Sequence, residues 1–537
     1  MMNEFEQTLN KVNNMQKTEN GALGYSTTGK NLVDLNFTVP SNHNNVSYEN
    51  IQKFLDALHE DMVSAVKWMF YLRDVREGLG ERDSFVNLFI TLHSYDQDAA
   101  IKVLHLVPEY GRWKDVIDIF SRCADDLPLT DKIYEMVHNQ LMQDCEDMTA
   151  GKAISLLAKW MPSINATPKA RKNAMRFCHK FGLLYKEYRG LLSALRQYLD
   201  VTEVKTCGGA WDQVDYNRVS SNANSRYVKA FMKHDPERRK EYLASLTKPE
   251  SGAVMHASNL YPYEVFSKYD IYGRPREFSE YHHDPLAVAD PGIEALWDNL
   301  KSIPTTGNTM VVCDGSGSME SRINGSNVMA ISVSRSLGVF FAEKCEGEFH
   351  NKLIEFSANP KFIDLTGCKT LADKYNEMCR HTDCSNTNLE KVFDLLLVTA
   401  LEHKMSQEDL PKRILIVSDM EFDQAGQYST IGRMRSNYGT EYGLTYDEVI
   451  SKYRTLFETI RQKWTDAGYT MPEIVFWNVN SRTNTIPVMA NEVGVNLVSG
   501  FSVNNIKLVM AGETNAWDAL KSVLDSERYA PVEEALK

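Results

Sequence analysis

The sequence has no apolar run approaching the ~18 residues that a membrane-crossing helix needs. Its start, Met1-Met2-Asn3-Glu4-Phe5-Glu6, carries neither the basic patch nor the apolar stretch that directs secretion. Both absences point to a cytoplasmic protein without a membrane partner. A disulfide framework is missing too: the nine cysteines are odd in number and scattered, as suits a reducing compartment. The stretch Cys379-Arg380-His381-Thr382-Asp383-Cys384 offers three zinc-type ligands but no second half, so it reads as an ordinary loop. Positive charge is in deficit, and a net charge of −13 excludes a protein that coats nucleic acid indiscriminately.

What is present is a soluble composition, with 43% hydrophobic and 24% charged residues, on a chain of 537 residues. Single cores seldom grow beyond about 250 to 300 residues, so two or more domains are expected. The charge is uneven along the chain. Residues 151–200 hold ten Lys and Arg against two acids, Glu187 and Asp200, whereas residues 51–150 hold ten against nineteen. One basic block in an acidic protein predicts a localised anion-binding surface.

Residues 1–50 are polar, rich in Asn and without sustained periodicity, which predicts a mostly extended lead-in. From Ile51 the pattern becomes helical: Ile51, Phe54, Leu55, Leu58 and Met62 recur on one stripe, which Val66 and Met69 continue. Helical segments follow to about residue 250, broken at Gly78 to Gly80, Pro108, Pro128, Pro162 and Pro168. Consecutive helices without strands predict a helical-repeat array over 51–303, with 251–303 as a connecting region, although no clean sequence period declares itself. From Asn308 strand and helix patterns alternate, with strands expected at 310–313, 353–356, 414–418 and 474–479. Helices are expected near 326–345, 389–403, 446–466 and 515–524. This alternation predicts a doubly wound, mostly parallel sheet over 304–537.

The apolar run Met310-Val311-Val312-Cys313 leads directly into Asp314-Gly315-Ser316-Gly317-Ser318. A strand ending in D-x-S-x-S sets one carboxylate and two hydroxyls on a tight loop, three hard oxygens of the kind a small dication prefers. A plain flexible turn and a serine nucleophile are the alternatives, but Gly315 and Gly317 flank Ser316 directly and so lack the G-x-S-x-G spacing of a nucleophile elbow. Further oxygens are available from Thr387, just before a helical stretch, and from Asp419, at the end of the strand Ile414-Leu415-Ile416-Val417-Ser418. In an open α/β sheet these segments converge outside the carboxyl ends of the strands. The expected ligands are thus Asp314, Ser316, Ser318, Thr387 and Asp419, and the expected ion is Mg²⁺, with Mn²⁺ or Ca²⁺ able to substitute, because few carboxylates leave room for the waters Mg²⁺ retains. Glu421 and Asp423 read as loop or surface acids. With no nucleophile and base pairing in view, the chain is not expected to be an enzyme.

This ordered set resembles the metal-ion-dependent adhesion site of the von Willebrand factor type A domain. The resemblance implies a Rossmann-like fold whose last coordination position accepts water or the carboxylate of an acidic protein partner. In the helical half, Arg73 to Arg82 (RDVREGLGER), Pro108 to Asp115 (PEYGRWKD) and Ala158 to Pro162 (AKWMP) resemble motifs of the TROVE ring, a HEAT-like helical array, of the Ro autoantigen. Closer still, Thr18 to Ala22, Ser418 to Ala425, Val475 to Asn478 and Val498 to Ser502 are similar to the family known as domain of unknown function 2828. The Ro resemblance implies binding of small structured RNAs or the single-stranded ends of misfolded ones. Candidate phosphate contacts lie in the basic block: Lys159, Lys169, Arg171, Lys172, Arg176, Lys180, Lys186 and Arg189, with His179, Phe181, Tyr185 and Tyr188 nearby for base stacking. A solvated helix face over a buried aromatic core accounts for the same residues. A protein-interaction scaffold without RNA is the alternative function.

Overall fold

The computed structural model describes residues 13–43, 45–125, 127–278, 282–381, 385–424, 454–510 and 515–537. The chain divides into two compact units. One combines Met1–Asn45 with Leu260–Val523, the other Val46–Asn259 with Leu524–Lys537.

The first unit is built on a six-stranded sheet. Its strands are β3 (Thr309–Asp314), β4 (Lys352–Phe356), β5 (Lys361–Asp364), β6 (Arg413–Ser418), β7 (Glu473–Asn478) and β8 (Val495–Ser499), in the spatial order β5-β4-β3-β6-β7-β8. All pairings are parallel except β4 with the edge strand β5. The central strands are apolar between their terminal residues because helices cover both faces of a parallel sheet. Every residue of β3 is buried, and so is every residue of the helix Ala330–Ala342 that packs on it. There Gly338 is required by close approach: a Cβ at this position would lie 2.1 Å from Cys313 Sγ.

The chain leaves β3 toward β4 and β5, then crosses back to place β6 on the other side of β3. That reversal opens a crevice at the carboxyl ends of β3 and β6. The register Val312↔Ile416 and Cys313↔Val417 sets Asp314 level with Ser418. The expected strands at 310–313, 353–356, 414–418 and 474–479 correspond to β3, β4, β6 and β7. The helices Ala330–Ala342, Leu389–His403, Leu456–Asp466 and Ala516–Leu524 stand where helices were expected, with 446–453 outside the described residues.

The lead-in is folded rather than extended. Strands β1 (Met15–Lys17) and β2 (Leu23–Tyr25) pair as an antiparallel hairpin, and Asn31–Thr38 is a helix in which all but Asn31 are buried. Its periodicity is invisible in sequence because every face is covered, and its buried polar groups are satisfied by the preceding turn and by β8. Asp34 Oδ1 accepts from Thr28 N (2.7 Å) and Thr28 Oγ1 (2.5 Å), while Ser499 Oγ donates to Asn36 O (2.7 Å). Residues 260–303, expected as a connection, also belong to this unit. Tyr375 OH donates to Asp270 Oδ1 (2.8 Å), and Trp297 Nε1 donates to Glu343.

The second unit is helical, with no strand among its described residues. Pro128, Pro168 and Pro236 each occupy the first helical position, where the missing N–H costs nothing, so these prolines begin helices rather than interrupt them. The stripe from Ile51 to Met69 spans two helices, Tyr48–Glu60 and Met62–Arg73. Asp61 separates them, ending the first in extended conformation and capping the second by accepting from Ser64 N at 3.1 Å. The motif stretches at 73–82 and 108–115 meet in a buried ion pair, Arg73 Nε to Asp115 Oδ2 at 2.7 Å. The C-terminal residues return to this unit: Arg528 binds Asp74 through Nε (2.8 Å) and Nη2 (3.1 Å), and Tyr529 stacks on Tyr110.

Removing one partner of a buried pair leaves an uncompensated charge. Arg73→Met is therefore expected to destabilise the helical unit by about 3–5 kcal/mol, read as a lower urea midpoint for its transition.

Candidate metal centre

Three loops meet at the crevice. The first follows β3, where Asp314 is fully buried. Its Oδ1 accepts from Ser316 N at 2.9 Å, and its Oδ2 accepts from Ser418 Oγ at 2.5 Å. Ser316 is buried, and its Oγ lies 3.0 Å from Ser318 Oγ. Ser318 in turn faces Asp419, on the loop after β6, and favours its charged form. The third loop, before the helix Leu389–His403, is tied to the other two: Gly317 N donates to Ser385 O (3.1 Å) and Asp423 N donates to Thr387 O (2.9 Å). Thr387 is buried, with Oγ1 3.4 Å from Asn20 Nδ2. Asp314, Ser316, Ser318, Thr387 and Asp419 thus stand on loops that hydrogen-bond one another across the switch point.

The electrostatics of this crevice are unusual. Burial pushes the Asp314 carboxyl up to about 7, and the neighbouring Asp419 charge pushes in the same direction, against hydrogen bonds from Ser418 and Ser316. Burial raises Asp419 as well, while Arg482 opposes the rise. Two carboxylates removed from water repel each other unless a proton or a cation stands between them.

The donor set suits a small hard dication. Ligands at about 2.1 Å in an octahedron lie about 3.0 Å apart along each edge, the spacing of the two serine hydroxyls. Among the described residues no three His, Cys, Asp or Glu side chains gather as a ligand set. Here hydroxyls supply three of the five oxygens.

Several neighbours take part in ways that their sequence positions did not indicate. Glu421, expected as a loop or surface acid, is 2% exposed. Its carboxylate accepts from Glu19 N (2.7 Å), Thr483 N (3.0 Å) and Thr483 Oγ1 (2.8 Å). Asp423 is buried too. The N-terminal turn lies against the same loops, with Asn20 Nδ2 donating to Glu421 O (2.6 Å) and Thr18 Oγ1 to Phe422 O (2.7 Å). Arg482 Nη2 donates to Asp419 Oδ2 at 3.0 Å, and its Nη1 lies 2.9 Å from Glu19 Oε2. Below the β3 loop, Arg335 binds Glu355 through Nη2 (3.0 Å) and Nε (3.2 Å), both side chains buried. In the cysteine cluster, Cys379 is buried within the helix Leu371–Arg380 and His381 Nε2 lies 3.0 Å from Glu377 Oε1. Thr382 to Cys384 lie outside the described residues.

The basic block separates into two groups. Lys159 pairs with Glu203 (3.0 Å), Arg176 with Asp125 (2.6 Å) and Lys180 with Asp131 (2.5 Å), so internal acids hold three of the candidate phosphate contacts. Arg176 also stacks on Phe120. Lys169, Arg171, Lys172, Lys186 and Arg189 are exposed and have no acidic partner among the described residues. Tyr188 is buried, donating to Pro162 O at 2.7 Å, and Phe181 packs edge-on against Tyr134, so neither is free to stack a base; Tyr185 is exposed. Arg171, Lys172, Arg176, His179 and Lys180 line an open groove of about 690 Å³ with Tyr134 at its wall.

Gly315 has no room for a side chain, because an added Cβ would lie 2.5 Å from Glu355 Oε1. Gly315→Ala is expected to drive Glu355 off Arg335 and displace the Asp314 loop. The variant should fold with reduced thermal stability and lose at least tenfold in Mn²⁺ affinity, measured by calorimetric titration.

Uncharacterized protein L728 of Acanthamoeba polyphaga mimivirus is 27% identical over 558 residues, spanning 97% of this chain and 89% of that protein. The crystal structure of the Deinococcus radiodurans Ro (RSR) protein aligns with a TM-score of 0.32 at 10% identity, covering 88% of this chain and 90% of that one. No helix among the described residues is long and apolar enough to cross a membrane. Residues 308–534 match the family model described as Domain of unknown function (DUF7788), and residues 18–140 and 165–300 match that of Domain of unknown function (DUF2828).

Proposed function

We propose that this is a non-catalytic RNA-binding protein whose helical unit contacts phosphates through its basic block and whose α/β unit holds a divalent cation. The observation that carries the RNA reading is the set of five exposed cations, Lys169, Arg171, Lys172, Lys186 and Arg189, on the successive helices Pro168–Phe181 and Tyr185–Tyr198, with no acidic partner among the described residues. Their neighbours Lys159, Arg176 and Lys180 are neutralised in place, so the remaining charge is concentrated where phosphates gain most from it. The resemblance of the helical motifs to those of RNA-binding ring proteins supports the same reading.

In the α/β unit Asp314, Ser316, Ser318, Thr387 and Asp419 would hold Mg²⁺, with Mn²⁺ or Ca²⁺ able to replace it. Bound there, the ion supplies a positive centre that relieves the repulsion between the two buried carboxylates and attracts an acidic group of a protein partner. Among the described residues the serine hydroxyls lie against each other rather than against a base, which favours binding over catalysis. A second reading, a cation-dependent interaction scaffold without RNA, is favoured by that carboxylate pair alone.

Fluorescence anisotropy with a single-stranded RNA oligonucleotide across a salt series tests the proposal. Affinity should fall steeply with salt. Replacing Lys169, Lys172 and Arg189 together by Ala should flatten the logarithmic salt slope by about 2, at roughly 0.7 for each phosphate no longer neutralised. Asp314→Ala should abolish Mn²⁺ uptake and leave the RNA isotherm unchanged. No RNA binding at low salt overturns the first reading in favour of the scaffold.

A further inference from the structure

The loops around Asp419 contain a cation that the chain supplies itself. Arg482 lies between a buried carboxylate, Asp419, and a half-exposed one, Glu19, with its two terminal nitrogens divided between them at 3.0 and 2.9 Å. Glu19 belongs to the turn Thr18 to Ala22, which is fastened by its backbone and by its other side chains. Glu19 N donates to Glu421 Oε2, Asn20 Nδ2 to Glu421 O, and Ala22 N to Phe422 O (3.3 Å). The Glu19 carboxylate itself has one partner among the described residues, Arg482, and it is 49% exposed. The turn would keep its place without that carboxylate.

A guanidinium offers two parallel donors to one carboxylate, the most favourable geometry for this pair. Arg482 uses only one nitrogen on Glu19, because Asp419 holds the other. A dication shared by Asp314 and Asp419 would weaken the hold of Asp419 on Arg482 by competing for the same oxygens and by repelling the guanidinium. The released donors would then face solvent, with the half-exposed Glu19 carboxylate already beside them.

We propose that Arg482 is the anion-recognising residue of the cation site, and that Glu19 is a resident occupant which an external carboxylate must displace. The ligand class is an acidic side chain or chain terminus, with one oxygen directed to the ion and the other to Arg482. Glu19 thus sets the threshold for docking, since a partner has to outcompete a carboxylate held at high effective concentration on the same chain. The inference rests on the cation reading above, and it adds the residue that selects the ligand and the residue that restrains it.

The test uses the full-length protein with sodium acetate as the anion probe, read by calorimetry in chloride-free buffer with Mn²⁺ and again with EDTA. With Mn²⁺, Glu19→Ala should bind acetate at least tenfold more tightly than the wild type, and adding Arg482→Gln to it should remove the gain. Arg482→Gln alone should take up Mn²⁺ more tightly, because the ion no longer competes for Asp419. Unchanged acetate affinity in Glu19→Ala, or a gain that survives in the double variant, overturns the proposal. If the wild type takes up no Mn²⁺ while Glu19→Ala still gains acetate binding in EDTA through Arg482, the cation reading falls and the anion site stands. Glu19 is a surface side chain, so Glu19→Ala should retain the wild-type melting temperature.

Discussion

Two carboxylates, Asp314 and Asp419, are buried side by side where the chain reverses direction across its sheet, and the surrounding loops are arranged to tolerate them. Neither is neutralised locally to the extent of an ordinary buried ion pair. Among the described residues Asp314 has hydroxyl and backbone donors alone, and Asp419 shares the guanidinium of Arg482 with Glu19. The cost of holding such groups out of water is met by a rigid scaffold. The β3–β6 register fixes their spacing, and the helix Ala330–Ala342 packs so closely that Gly338 is required. The Arg335–Glu355 pair fills the space under Gly315. An ion bound there would meet oxygens already held in place.

The N-terminal residues give that scaffold its rim. A polar segment without periodicity supplies a hairpin, a helix with polar groups buried on every side, and the turn whose Asn20 and Glu19 reach Thr387 and Arg482. Such segments fold only against a surface that satisfies their backbone and side-chain polar groups, and the loops after β6 and β7 provide one. In the helical unit, buried charges play a similar part. The Arg73–Asp115 and Asp74–Arg528 pairs join stretches distant in sequence and leave the basic helices Pro168–Phe181 and Tyr185–Tyr198 to carry the exposed charge.

Much of the fold was legible from local pattern. The apolar runs of β3, β4, β6 and β7 and the helices at 389–403 and 515–524 announce themselves because parallel strands buried on both faces read as unbroken hydrophobic stretches. The edge strand β5, with the pattern Lys361-Phe362-Ile363-Asp364, and β8, interrupted by Asn496, are too short or too mixed to stand out. The stripe at 51–69 misled because one amphipathic period continues through Asp61, and only its capping hydrogen bond reveals the break. Of the basic block, the sequence reported charge but not pairing. Asp125, Asp131 and Glu203, which neutralise three of its members, lie about 40 to 50 positions away from the cations they bind, beyond the reach of helix-local rules.

By itself the sequence determined the division into helical and α/β halves, the D-x-S-x-S loop at the end of a strand and the order of its oxygen donors, because each is written in residues near one another. Only the tertiary structure decided that residues 13–43 fold onto the α/β unit and residues 524–537 onto the helical one. It alone placed Arg482 and Glu19 beside Asp419, and it alone showed which lysines and arginines are already paired. The reason is physical: periodicity and turn chemistry act over a few residues, whereas charge pairing and burial depend on which distant segments the core brings together.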